Sequence, residues 1–197
     1  VTPDEEFVHG EPPLSALFSE SPADAPLEIE FGTGKARFLI ESGRLHPARR
    51  FLGVERSLAY YRIARDRIGR SRLPNVRILR ADGAEMVERL PPASVSGFHA
   101  YFLDPWPKKK QRKRRLLGER FFASAANAAV PGALFRIITD HEDYGASIGA
   151  AIETAIASGT PWRPVEWESA PPPPPTHYEL KYRAAGRSFR RFLLVKI

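Results

Sequence analysis

Five short apolar segments in this 197-residue chain each run into a glycine turn or an acidic residue, with helix-patterned stretches between them. In the first, Leu27-Glu28-Ile29-Glu30-Phe31 alternates apolar and acidic side chains and meets Gly32-Thr33-Gly34, the pattern of a strand closed by a tight turn. Phe51-Leu52-Gly53-Val54 closes on Glu55, and Val76-Arg77-Ile78-Leu79 is followed by Ala81-Asp82-Gly83. Residues 98–103 deliver Asp104, and residues 133–138 end at Thr139-Asp140. Residues 35–45 set Phe38, Leu39 and Leu45 at helical intervals, and 58–68 alternate apolar with basic residues. A short helix is predicted over 84–90, stopped by Pro91-Pro92, with longer ones over 116–130 and 143–158. This alternation predicts an α/β fold, a mostly parallel central sheet with helices on both faces. Such sheets bind ligands beyond the carboxyl ends of their strands. Gly32, Gly34, Glu55, Asp82, Asp104 and Asp140 all fall there.

The chain ends differ from this middle. Residues 1–25 are rich in Pro, Ser, Glu and Ala with little periodicity and read as a loose lead-in, leaving 26–197 as a single domain. Near the other end, 162–167 is a strand candidate, and 178–182 with 189–196 reads as an antiparallel hairpin. The prolines of 171–175 form a stiff extended connection just before Thr176.

The charge is local. The chain holds 30 Lys and Arg against 23 Asp and Glu, and seven of those bases sit within residues 108–115, so the remainder is neutral. A basic excess concentrated beside Asp104-Pro105-Trp106-Pro107 suits an enzyme acting on a polyanion better than a diffuse basic binder. With no cysteine, disulfides, thiolate nucleophiles and cysteine-based metal sites are excluded. The five histidines are scattered singly, so no metal site is expected. No segment is long and apolar enough for a membrane span, and the N-terminal residues do not read as a signal peptide, so a cytoplasmic setting is expected.

The acidic strand ends narrow the ligand. Gly34-Lys35-Ala36 lacks the Lys-Ser/Thr ending of a phosphate loop, and Arg37 stands where a dinucleotide fingerprint needs its third glycine. Glu55 suits the two ribose hydroxyls of an adenosine. Asp82 suits the adenine amino group or a helix cap. Glu30 is the sharper clue, because an acidic side chain closing an apolar strand is costly unless a positive charge meets it. S-adenosylmethionine carries positive charge where a dinucleotide carries pyrophosphate, so Glu30 favours that cofactor. An NAD-dependent enzyme is the weaker alternative.

With these residues in view, the chain resembles the bacterial tRNA (guanine-N7-)-methyltransferases, a class I S-adenosylmethionine-dependent family with a Rossmann-like fold. The resemblance rests on LEIEFGTG at 27–34, LGVE at 52–55, ADG at 81–83, FLDPWPKKKQRKRR at 102–115, TD at 139–140 with a following tyrosine, and THYE at 176–179. It implies cofactor contacts at Glu30, Gly32, Gly34, Glu55, Asp82 and Asp104, and a catalytic role for Asp104. It implies substrate contacts at Lys108, Asp140, Thr176, His177, Tyr178 and Glu179. Lys110, Gln111, Arg112, Lys113, Arg114 and Arg115 correspond to the stretch expected to meet RNA. The implied substrate is tRNA, usually the guanine at position 46 of the variable loop, with no obligatory protein partner and a monomer or homodimer as the assembly. Two departures are Leu103, where many relatives have proline, and Tyr178, which replaces a common phenylalanine.

Guanine N7 carries a lone pair and no proton, so Asp104 is better cast as an orienter of the N1-H and 2-amino edge than as a base. Asp140, Thr176 and Glu179 are further candidates for that edge. Trp106 is a loop-packing residue or a stacking platform. Two competing classes remain. An adenine amino methylase commonly shows Asn/Asp-Pro-Pro-Tyr/Phe, unlike Asp104-Pro105-Trp106-Pro107, and a pyrimidine C5 methylase needs an absent cysteine. A non-catalytic RNA-binding protein on the same fold would have little need of Glu30, Glu55 and Asp104.

Overall fold

The computed structural model describes residues 8, 9, 14–22 and 24–197. In chain order the elements are α1 (Leu14–Leu17), β1 (Leu27–Phe31), α2 (Arg37–Leu45), β2 (Arg50–Glu55), α3 (Leu58–Ser71) and β3 (Val76–Arg80). Then come α4 (Gly83–Arg89), β4 (Val95–Tyr101), α5 (Glu119–Ala128), β5 (Ala129–Thr139), α6 (Glu142–Ala157), β6 (Trp162–Val165), α7 (His177–Ala184) and β7 (Arg190–Lys196). The seven strands form one sheet ordered β3-β2-β1-β4-β5-β7-β6. The first five are parallel, and β7 runs antiparallel to both β5 and β6. The α/β expectation therefore holds, including antiparallel strands at the C-terminal end.

All five residues of β1 are buried, as expected of a central strand covered on both faces. Its alternation sorts the layers. Leu27, Ile29 and Phe31 join the apolar layer that α4, α5 and α6 cover. Glu28 and Glu30 face the other side, where Phe38, Leu39, Tyr61, Ala64 and Ile68 of α2 and α3 pack. Glu28 is accommodated by a network: its Oε2 lies 2.7 Å from His99 Nε2, and its Oε1 accepts from Arg49 at 2.5 Å. The second ring nitrogen of His99 lies 2.7 Å from the Tyr101 hydroxyl. Together these partners hold the Glu28 carboxyl down at about 2 against its burial.

Three local expectations change. Residues 178–182 are helical, within α7, because Thr176 Oγ1 accepts the Glu179 backbone N–H at 3.0 Å and caps the helix. β7 pairs antiparallel instead with β5 and with β6, the latter expected from the same sequence as a strand. Leu45, read as part of the apolar face of α2, is 64% exposed at the helix end.

The described part of the lead-in is tied down. Leu17 and Phe18 are buried in the core, and the guanidinium groups of Arg50 and Arg77 lie 5.7 and 5.9 Å from the Phe18 ring centre. Arg77 Nε donates to the Leu17 carbonyl at 2.9 Å, and Arg50 Nε to that of Ala25 at 2.8 Å. Two basic strand residues thus fix the segment by ring contact and carbonyl capture together. No helix among the described residues is long and apolar enough to cross a membrane.

Candidate active site

Strand order reverses between β1 and β4: β2 and β3 lie beyond one, and β5 beyond the other. A parallel sheet opens a crevice at such a reversal, beyond the strand carboxyl ends. Residues 30–36 enter it from β1 and residues 102–107 from β4.

The β1 turn can be built only with small residues. Gly32 has φ +71°, and a Cβ there would stand 2.4 Å from Leu103 Cδ2, so Leu103 of the β4 loop seats on the glycine backbone. Gly34 has φ +56°, and Ala36, at the same φ, is a fully buried left-handed residue. The third special backbone position is thus 36, filled by alanine, and not 37. Alanine accepts that conformation at a cost of about 1 kcal/mol, which the surrounding turn must hold. Glu55 fixes this turn to β2. Its two carboxylate oxygens accept from Gly34 N at 3.0 Å and Ser57 N at 2.8 Å. Asp82 caps α4, with Oδ1 accepting from Ala84 N at 2.9 Å and Glu85 N at 3.3 Å and Oδ2 lying 3.5 Å from Arg56.

Glu30 is compensated far less, by Thr33 alone. It is 3% exposed, and its Oε2 is buried without a hydrogen-bond partner among the described residues. Burial pushes its carboxyl well above the ordinary range, with Thr33 opposing and the Glu55 charge adding to the rise. A buried acceptor with a strong preference to be met by a donor is a site for a cation, not for a pyrophosphate. Thr33, Tyr101, Thr176, His177 and Tyr178 line the same small cavity as Glu30. The N-terminus of α7 therefore closes over the β1 turn, bringing the Thr176, His177 and Tyr178 of the late motif to Glu30. Sequence reasoning missed Tyr101 and Thr33, although Tyr101 follows from period-2 alternation with His99 along β4. It also missed Tyr60, whose hydroxyl lies 3.5 Å from that of Tyr178.

Asp104 is exposed, with no ion pair or hydrogen bond among the described residues. It stands between two left-handed residues, Phe102 at φ +54° and Trp106 at φ +43°. The strain is held by packing: Phe102 meets the rings of Phe189 at 5.3 Å and Tyr182 at 5.7 Å, and Arg114 lies 4.9 Å from the centre of Trp106. Non-glycine residues forced into this region cluster where a side chain must be aimed.

The basic run divides into two parts. It forms a 3-10 turn over Lys109–Arg114. Arg115 is half-buried with a largely covered side chain; it donates to the Pro105 carbonyl at 2.8 Å, pairs with Asp143 and lies 5.0 Å from the Tyr144 ring centre. Arg112 also reaches Asp143, at 2.9 Å. Arg115 thus braces the Asp104 loop, a role its composition did not announce; Arg112 and Arg114 also contact the body, at Asp143 and Trp106. Lys108, Lys109, Lys110 and Lys113 remain exposed, and Gln111 is half-buried. Asp140 and Glu179 are likewise committed. Asp140 pairs with Arg187 at 2.8 Å, while buried Glu179 pairs with Arg183 at 2.5 Å and lies 3.8 Å from Arg191. Neither lines the Glu30 cavity, because arginines of the C-terminal segment claim both carboxylates.

A seven-stranded sheet of this order, with a glycine turn after β1 and acidic ends on β2, β3 and β4, defines a methyltransferase fold. Similar solved structures agree: the aminoglycoside resistance methyltransferase NpmB1 superposes with TM-score 0.62 at 16% identity, covering 93% of this chain and 92% of that one. The 16S rRNA methyltransferase KamB gives 0.61 at 17% identity, over 100% and 99%. The family described as "Putative methyltransferase" matches residues 24–191. A tRNA (guanine-N(7)-)-methyltransferase of Myxococcus xanthus is 31% identical over 93% of both chains. Those of Levilactobacillus brevis and Thermus thermophilus are 36% and 34% identical over 68% and 94% of this chain. The chain spans only 62% and 58% of those two relatives' lengths. It belongs to the tRNA (guanine-N7-)-methyltransferase family.

Proposed function

We propose that this chain transfers the methyl group of S-adenosylmethionine to N7 of a guanine in tRNA, at position 46 of the variable loop. The observation that carries the reading is the buried Glu30 at the β1–β4 reversal, its Oε2 without a hydrogen-bond partner among the described residues, with exposed Asp104 on the loop that follows β4. A cofactor with an ammonium group fits Glu30; one with a pyrophosphate would meet the carboxylates of Glu30 and Glu55. Bound there, the cofactor supplies an electrophilic methyl on a sulfonium. Glu55 keeps lone pairs for ribose hydroxyls beyond its two backbone bonds, and Asp82 offers Oδ2 towards adenine.

The chain's own task is alignment. The N7 lone pair would take the methyl as its bond to sulfur opened, so no residue of the chain needs to remove a proton. Asp104 accepts from the guanine N1-H and 2-amino edge, offsetting the positive charge that develops on the ring. Thr176, His177 and Tyr178 wall the site on the α7 side. Lys108, Lys110 and Lys113 reach flanking phosphates, with Gln111 beside them. Asp140 and Glu179 act through Arg187, Arg183 and Arg191, holding the C-terminal segment against the site.

The test is to treat unmodified total tRNA with the protein and methyl-labelled cofactor, then map the labelled nucleotide. Label in 7-methylguanosine at position 46 is expected; another product overturns the reading. Asp104→Asn should lower kcat by on the order of a hundredfold, with tRNA affinity unchanged. Near-normal turnover would remove Asp104 from the chemistry.

A further inference from the structure

We propose that the groove between α2 and α3 is a second RNA-phosphate site, separate from the basic run; this rests on the reading of the chain as acting on tRNA. The groove, of about 240 Å³, is lined by Arg37 and Arg44 of α2 and by Arg67 and Arg70 of α3, with Glu41 the one carboxylate among its lining residues. Arg37, Ile40, Glu41 and Arg44 are spaced to share one face of α2, as Arg67, Arg70 and Ser71 are on α3. Glu41 lies 3.4 Å from Arg44. Arg37, Arg67 and Arg70 have no acidic partner among the described residues.

Ordinary helix electrostatics accounts for only half of this cluster. Arg44 and Arg70 stand in the last turns of their helices, where positive charge is favourable. Arg37 is the first residue of α2, where the helix end is itself positive, and its Nε is buried with no hydrogen-bond partner. Arg67 lies before the last turn of α3. Four guanidinium groups against one carboxylate leave a charge that an incoming anion would neutralise.

The anion is a nucleic-acid backbone because the groove adjoins the candidate active site. Arg37 lines both the groove and the cavity that contains Glu30. From Arg37 to Arg44, α2 advances about 10 Å, a track longer than one phosphate. The groove lies on the α2–α3 face of the sheet, while α5, which follows the basic run, packs on the opposite face. An RNA held by both would cross the strand-end edge and present its target base at Asp104.

The experiment measures equilibrium binding of unmodified tRNA over a salt series by wild type, Arg67→Gln/Arg70→Gln and Arg67→Lys/Arg70→Lys. The Gln variant should raise Kd by on the order of tenfold and flatten the log Kd against log salt slope by about 2. The Lys variant should keep the wild-type slope, and cofactor affinity and Tm should be unchanged in both. A wild-type slope in the Gln variant overturns the proposal. So does stabilisation by inorganic phosphate that the Gln variant loses while its tRNA affinity stays normal, which would mark a small-anion site. Methyl transfer to tRNA by the wild type is scored separately. Its absence would overturn the proposed function, whereas unchanged binding with intact transfer would overturn only the groove.

Discussion

Glu30 shows how far a single residue can be read. Its cost in an apolar strand is visible in the sequence, and the structure adds that no group among the described residues hydrogen-bonds Oε2. Two opposite effects follow from one substitution. Glu30→Gln should stabilise the ligand-free protein at neutral pH by about 1 kcal/mol, because it removes the cost of keeping a buried acid protonated where the unfolded chain would ionise it. The same change should weaken cofactor binding by about tenfold or more, since a hydrogen bond to a charged group is lost. The sign of the pH effect follows from a folded pKa above the ordinary 4.5. The ligand-free fold loses stability as pH rises from 4.5 through the raised value, while cofactor binding gains as the carboxylate ionises. Calorimetry in two buffers of different ionisation enthalpy should show proton release on cofactor binding by wild type and none by the variant. Equal affinity and equal proton exchange in both would remove Glu30 from the site. Asp104 and Glu55 were equally legible as strand-end acids, but their local roles were not. Whether a carboxylate is free, like Asp104, or tied, like Glu55 to Ser57 nearby and to Gly34 twenty-one residues away, depends partly on backbone groups the sequence does not place beside it.

Among the elements, β1 and β4 carry the second buried charge, and here the protein supplies the partners. Burial lowers the His99 pKa, so the ring is neutral at neutral pH; with Nε2–H donating to the Glu28 carboxylate, Nδ1 then accepts from the Tyr101 hydroxyl. His99→Ala should cost about 3 kcal/mol in urea unfolding by stranding Glu28 with Arg49 alone. Both groups make the fold acid-labile. An unfolded histidine takes up a proton near 6.5 that folded His99 refuses, so stability falls as pH drops below that value. Glu28 adds a further loss as pH falls from 4.5 towards 2. The His99→Ala variant should lose the first limb and shrink the second, because His99 is the main partner that lowers the Glu28 pKa against burial; an unchanged stability profile between pH 7 and 5 would refute the assignment. The basic run makes the same point about elements. Its composition marks it as a polyanion contact, yet only the fold shows that Arg115 turns inward to brace Pro105.

At the scale of the molecule, the N-terminal segment and the C-terminal helix are the largest departures from the sequence reading. Phe18→Ala should destabilise the protein by about 3 kcal/mol in denaturant unfolding, because the ring is buried between the layers and two arginines. A change below 0.5 kcal/mol would return the segment to a loose lead-in. Helix α7 departs for a different reason. Residues 178–182 have the aromatic content of a strand, but Thr176 caps a helix, and β5 and β6 already occupy both edges of β7.

By itself the sequence determined the alternation of strands and helices, the acids at the strand ends and the local excess of charge in residues 108–115. These are readable because periodicity and turn chemistry act between near neighbours. Tertiary structure decided which charges are met. It left Glu30 and Asp104 open, closed Glu179, Asp140 and Arg115 into internal pairs, and gathered Arg37, Arg44, Arg67 and Arg70 from two helices into one groove. A neutral remainder in the count of charges therefore hides a basic surface, because electrostatics depends on distance in space and the sequence records only distance along the chain.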